Sequence, residues 1–220
     1  MGDHQTIADS KRTFHQQFPY VIPPLYRRVA DELLVELHLL SQQSQFKSNV
    51  FFAVGLRSVF TAFTKGYRPE EHPELMFTAL CSSTDFDADQ LKGEAEQATS
   101  LAKGKTLQSL PDWMAQHRLA ENSHYSRLMA IGILSLLEIA SGDTQNTNDI
   151  TSPKKILKEK AAELAPTLGL SDKRIEKDLN LFLSSRERMD QAVELMQETL
   201  ASERRKRDQR KAEVSQGSVS

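Results

Sequence analysis

Residues 171–211 read SDKRIEKDLNLFLSSRERMDQAVELMQETLASERRKRDQRK. Ile175, Leu179, Phe182, Met189, Val193, Met196 and Leu200 recur at spacings that combine four and three, which traces one side of a helix. Arg186 fills the seam position between Phe182 and Met189, where a change of packing partner is expected. Beyond Leu200 the seam stops, yet helix-favouring residues continue through Arg204, Arg205, Lys206, Arg207, Arg210 and Lys211. A helix without an apolar face has nothing to pack on in its own domain. From Ser171 to Lys211 it would span about 60 Å at ~1.5 Å per residue. A compact chain of this length has a radius of gyration of only ~17 Å. The end of the helix is therefore expected to project into solvent.

The rest of the chain repeats the helical period, and no credible alternating strand appears. A first helix is read from Thr6 to Gln17. Pro23 and Pro24 then open a helix to Ser44, with Leu25, Val29, Leu33, Leu37 and Leu40 on one face and Tyr26, Leu34 and Leu39 widening it. Residues 50–65 are apolar almost all round, as befits the centre of a bundle, and Gly66 suits the left-handed residue that closes such a helix. Further helices are read over 73–83, 85–103, a short or kinked stretch around Pro111, 124–140 capped by Ser123, and 153–168 with Ile156, Leu157, Ala161 and Leu164 inward. Tyr26-Arg27-Arg28-Val29 and Tyr125-Ser126-Arg127-Leu128 open the two leucine-rich helices, which could be antiparallel core neighbours. The fold class is all-α, a single bundle of eight or nine helices with a long coiled-coil-like C-terminal helix. Residues 1–170 form the body, 171–212 the long helix packed to about 200, and 213–220 a disordered tail.

Composition limits the function. The 220 residues carry 28 basic and 30 acidic side chains, a net charge of −2, which weighs against general nucleic-acid binding. Residues 203–213 contribute +3, so the remainder carries −5 and the basic character is concentrated at the tail. Cys81, the only cysteine, reads as a small core residue and fits a reducing compartment. The first residues lack a secretory signal, and the most apolar run, 128–140, is interrupted by Glu138 and falls short of the ~20 residues that span a bilayer.

Chemistry is sparse. Glu36 and His38 are two apart and diverge on a helix, so they do not form the Glu-x-x-His unit of a di-iron bundle. Asp31, Glu32 and Glu36 read as a solvated face beside Arg27 and Arg28. Lys103-Gly104-Lys105 is too short for a phosphate loop, and no Gly-x-Ser-x-Gly elbow occurs. No catalytic, cofactor or metal-binding residue is assigned. The sharpest functional feature is the basic run Arg204, Arg205, Lys206, Arg207, Arg210 and Lys211. It can meet anionic lipid, where each cation contributes about 1 kcal/mol, or it can dock on an acidic protein surface or pair as a short coiled coil. The rival class is an enzyme or small-ligand bundle with an interior pocket, and a third reading makes the run a nucleic-acid arm.

Several ordered stretches carry a resemblance: TIADSKRTF at 6–14, YRRVADELLVELHLL at 26–40, FTKGY at 63–67, Leu80-Cys81, HYSRLMAIG at 124–132, LLE at 136–138 and Asp178-Leu179. Together they resemble the thylakoid formation proteins, photosystem II biogenesis factors of cyanobacteria and chloroplasts. Tyr26, Arg27, Arg28, Leu33, Leu37, Tyr125, Arg127, Gly132 and Leu136 are the motif and core positions of that likeness. The resemblance implies a non-enzymatic helical adaptor without cofactor, peripheral on the cytoplasmic side of the thylakoid, or stromal in a trimmed plastid form. It also implies partners, membrane FtsH protease complexes and photosystem II assembly intermediates, beside the anionic membrane surface that the basic run suggests. Residues 102–123 depart from the family pattern, and no function is placed there.

Overall fold

The helices begin where short polar side chains can satisfy the backbone donors of a first turn. Thr6 forms a reciprocal capping box with Asp9 ahead of α1 (Ile7–Gln17). Pro24 sits in the first turn of α2 (Pro24–Ser41), and Asn49 caps α3 (Val50–Phe63) through the Phe52 amide. Then follow α4 (His72–Ser82), α5 (Ala88–Lys103) capped by Asp87, α6 (Leu110–Ala115) with Pro111 in its first turn, α7 (Arg127–Ala140), α8 (Thr151–Leu164) and α9 (Asp172–Gly217). This computed structural model describes residues 5–142 and 151–217, and among them the side chains of all but 151–154 and 210–217. The described residues form an all-α bundle of nine helices.

The centre is the crossing of α3 and α7, both apolar almost all round. Gly55 and Gly132 meet there. A Cβ on Gly55 would run into the Leu128 carbonyl and lie 2.9 Å from the Gly132 nitrogen. A Cβ on Gly132 would run into the Phe51 carbonyl and lie 3.0 Å from the Gly55 nitrogen. The two backbones touch because neither carries a side chain at the contact. Around this pair α5 packs on α3 and α7, while α9 packs on α7, α8 and α3. Helices α1, α2 and α4 pack on one another, and α4 reaches α5. Ser10 Oγ and His38 Nδ1, 2.9 Å apart and both buried, fasten α1 to α2. Cys81 is fully buried in the core, and burial pushes its thiol up to about 12, so it is inert as a nucleophile.

Some expectations are corrected. Leu39 does not widen the inward face of α2; it is 51% exposed, because two residues past the buried Leu37 is ~200° around a helix. Ile156 likewise faces solvent, while its neighbour Leu157 is buried. Ser126, not Ser123, caps α7, accepting from the Leu128 amide. The preceding residues form turns, and the His124 amide is tied to the Gln45 carbonyl. The central partner of α7 is α3, not α2, so the two Tyr-Arg helix starts do not mark a core pair. On α9 the last buried residue is Val193; Met196 is half-buried and Leu200 is 46% exposed. The α9 backbone continues as helix beyond residue 212, and residues 218–220 lie outside the described residues.

Candidate interaction surface

Besides the bonds of Lys158 on α8 to Asn180 at 3.0 Å and Glu176 at 3.7 Å, α9 is held to the body at three places along its length. Near its start, the Tyr125 hydroxyl donates to Asp178 Oδ2 at 2.7 Å. In the middle, Arg186 grips Glu138 at 3.0 and 3.3 Å and lies over the Phe182 ring, which packs edge-on against Phe63. The charge that interrupts the apolar run of α7 thus answers the charge that interrupts the seam of α9. Near the end of the contact, Lys65 pairs with Asp190 at 2.8 Å, and Gly66 meets the Val193 side chain. Gly66 takes φ of 76°, a conformation in which a Cβ is strained, and it lets the chain turn tightly under α9. The Tyr26 hydroxyl donates to the Lys65 carbonyl at 3.2 Å and ties the same loop to α2.

The motif residues therefore fall into two polar groups and a set of core positions rather than one site. Tyr125 and Arg127 gather with Glu36 and Asp178, Arg127 binding Glu36 through both Nε and Nη2 at 2.7–3.1 Å. That bond holds the Arg127 guanidinium above its ordinary pKa. Tyr26 sits at the other end of α2, near Lys65. Arg27 donates to the Ile22 carbonyl, and Arg28 pairs with Glu32 within α2. Leu33, Leu37, Gly132 and Leu136 are buried core positions. Glu36 is not part of a merely solvated face: it lies beside the inward Leu37 and is the ion that Arg127 needs. Its place next to a seam leucine was the available signal, and Asp178, beside the buried Leu179, carried the same one.

Burial pushes the Tyr125 phenol far up, and the Asp178 carboxylate pushes it further. Its proton is held more tightly in the folded than in the unfolded chain. The stabilisation is then full below the ordinary tyrosine value of 10.0 and is lost as pH rises above it. Tyr125→Phe should cost about 1–3 kcal/mol near neutral pH, by leaving Asp178 without its donor. It should also flatten the fall in stability above pH 10 that urea titrations of the wild-type chain would record.

The distal part of α9 carries the basic run. Arg204, Arg205, Lys206 and Arg207 are exposed, and none joins an ion pair among the described residues. The side chains of Arg210 and Lys211 lie outside the described residues. Two clefts open on the surface. One, of ≈ 830 Å³, lies between α2 and residues 124–127; the other, of ≈ 370 Å³, lies between α2, α3, α7 and α9. Both are troughs open to solvent, and most of their charged groups already bond one another. No cluster of metal-ligating residues occurs among the described residues. No described helix is long and apolar enough to cross a membrane.

Residues 6–211 match the family model described as "Thylakoid formation protein". The chain belongs to the thylakoid formation protein family. Protein Thf1 of Synechococcus sp. (strain CC9605) is 55% identical over 98% of both chains. Protein Thf1 of Parasynechococcus marenigrum (strain WH8102) is 51% identical over the whole of both. The solved structure of Psb29 at 1.55 Å matches with a TM-score of 0.77 and 30% identity, covering 92% of this chain and 98% of that one. As a thylakoid formation protein the chain is a non-enzymatic accessory factor of thylakoid and photosystem II biogenesis.

Proposed function

We propose that the chain is a helical adaptor in photosystem II biogenesis and repair, acting with membrane FtsH proteases on the cytoplasmic side of the thylakoid. The observation that carries this reading is the division of α9. Up to Val193 it is bound into the body; from residue 194 to 209 it exposes every residue but Met196, and it ends in a cationic run. An overhang of this kind lends itself to coiled-coil-like contact with another helix or to an anionic surface. Its cations contribute up to about 1 kcal/mol each at a lipid surface. The open troughs, whose charged groups mostly bond one another among the described residues, favour an adaptor over a ligand-binding bundle.

Deletion of 201–220 tests the reading. The melting temperature should stay within about 2 °C of wild type, because every described side chain it removes, 201–209, is exposed. Co-sedimentation with thylakoid membranes and co-purification with FtsH should fall at least tenfold. Vesicles containing phosphatidylglycerol, beside neutral vesicles, separate lipid attraction from protein docking. Full retention of both associations by the truncated chain would refute the tail as the contact.

A further inference from the structure

The chain carries six methionines and one cysteine, and nearly all of this sulfur is packed away. Cys81, Met114 and Met129 are 0% exposed, Met76 is 1% and Met189 is 6%. Burial also keeps the Cys81 thiol protonated and so unreactive. Met1 lies outside the described residues. Met196 differs from the others. It is half-buried, and among the described residues it is the one sulfur-bearing side chain with more than marginal exposure.

Its position gives that exposure a consequence. Met196 follows Val193 by three residues on the same side of α9, and it packs against the core. Val193 sits over Gly66, and the Gln197 side chain reaches the same loop. Beyond Met196 every described side chain, 197–209, is exposed. Leu195 is 64% exposed and Leu200 46%, so neither adds much hold. The Lys65–Asp190 pair lies before Met196 and on the surface, where such pairs contribute little. Met196 is therefore the last apolar hold of the body on α9. A helix end without such a hold frays.

We infer that Met196 is a reversible oxidation site, and that its conversion to the sulfoxide releases α9 from the body just past Val193. The oxidant is a peroxide. With hydrogen peroxide, the thioether sulfur attacks one oxygen as the O–O bond breaks and an S–O bond forms. Sulfur gives up two electrons, and the departing hydroxide takes the proton of the transferred oxygen and leaves as water. The product is polar and prefers water to the apolar contact that the thioether made. The other methionines are spared because a peroxide reaches them only when the core opens. Sulfoxide reductases, one for each epimer, remove the oxygen as water while two thiols become a disulfide, which restores the hold. The inference does not rest on the proposed protease or lipid contact. If the overhang makes that contact, oxidation sets how firmly the body presents it.

Dilute hydrogen peroxide on the folded full chain, followed by peptide mapping and hydrogen exchange, tests it. Met196 should gain one oxygen at least about tenfold faster than Met76, Met114, Met129 and Met189. Exchange over residues 193–200 should then quicken about three- to tenfold, as expected when a half-buried methionine loses its apolar contact. Residues 175–189 should keep their protection. Met196→Gln, polar and of similar length, should show the faster exchange without peroxide. Met196→Leu should exchange slowly before and after peroxide, which separates the effect from any oxidation of Met1. Reductase with a thiol should return the oxidised chain to the slow pattern. A buried methionine that reacts as fast as Met196, unchanged exchange in the oxidised chain or in Met196→Gln, or a Met196→Leu chain that loosens equally under peroxide would each overturn the inference.

Discussion

Gly132→Ala should destabilise the fold by about 3–5 kcal/mol, and Gly55→Ala by a similar amount, in urea unfolding followed by circular dichroism. Overpacked cores ordinarily lose about 1–3 kcal/mol because neighbouring side chains can shift. Here the added methyl meets backbone, the Phe51 carbonyl for Gly132 and the Leu128 carbonyl for Gly55. Backbone within a helix yields only if the whole helix moves, and moving α3 from α7 opens the centre of the core. In a chain of this size the melting temperature should fall by about 6–20 °C. The double variant should cost less than the sum, because the first methyl already parts the helices. Strict additivity would mean that the two glycines do not share one crossing.

Phe182→Ala should cost about 3–5 kcal/mol and should act on α9 in particular. Phe182 is 6% exposed, lies edge-on to Phe63 and supports the Arg186 guanidinium that grips Glu138. Its removal leaves a cavity beneath the middle attachment and loosens the ion pair above it. Hydrogen exchange should quicken first over residues 178–193, while α3 and α7 keep their protection. Uniform loss of protection across the body would show instead that α9 does not open separately.

Periodicity revealed the helices because their inward residues repeat at three and four: Leu33, Leu37 and Leu40 on α2, and Ile175, Leu179 and Phe182 on α9, are all buried. It failed at Leu39 and Ile156, where a leucine or isoleucine beside a seam residue looks apolar but points away. The family resemblance, carried by ordered motifs, reached the function class that the spacing alone could not. The polar attachments were harder to read. Tyr125 and Asp178 are 53 residues apart, and Arg186 and Glu138 are 48 apart. Such partners are joined by the path of the chain, which no local pattern encodes. Gly132 stood out within its motif; Gly55 did not, because a glycine inside an apolar helix looks like a weakness until the opposing backbone is seen.

The small knot of Tyr26, Lys65, Gly66 and Val193 has a mechanical consequence. It is the fulcrum of α9, and everything past it is a lever arm. Over about 24 Å of helix, a tilt of 10° at the knot displaces the tip by about 4 Å, roughly the width of a side chain. The aim of the cationic end is therefore set by one tyrosine hydroxyl, one surface ion pair and one left-handed glycine, all of them on the body and far from whatever the tip meets.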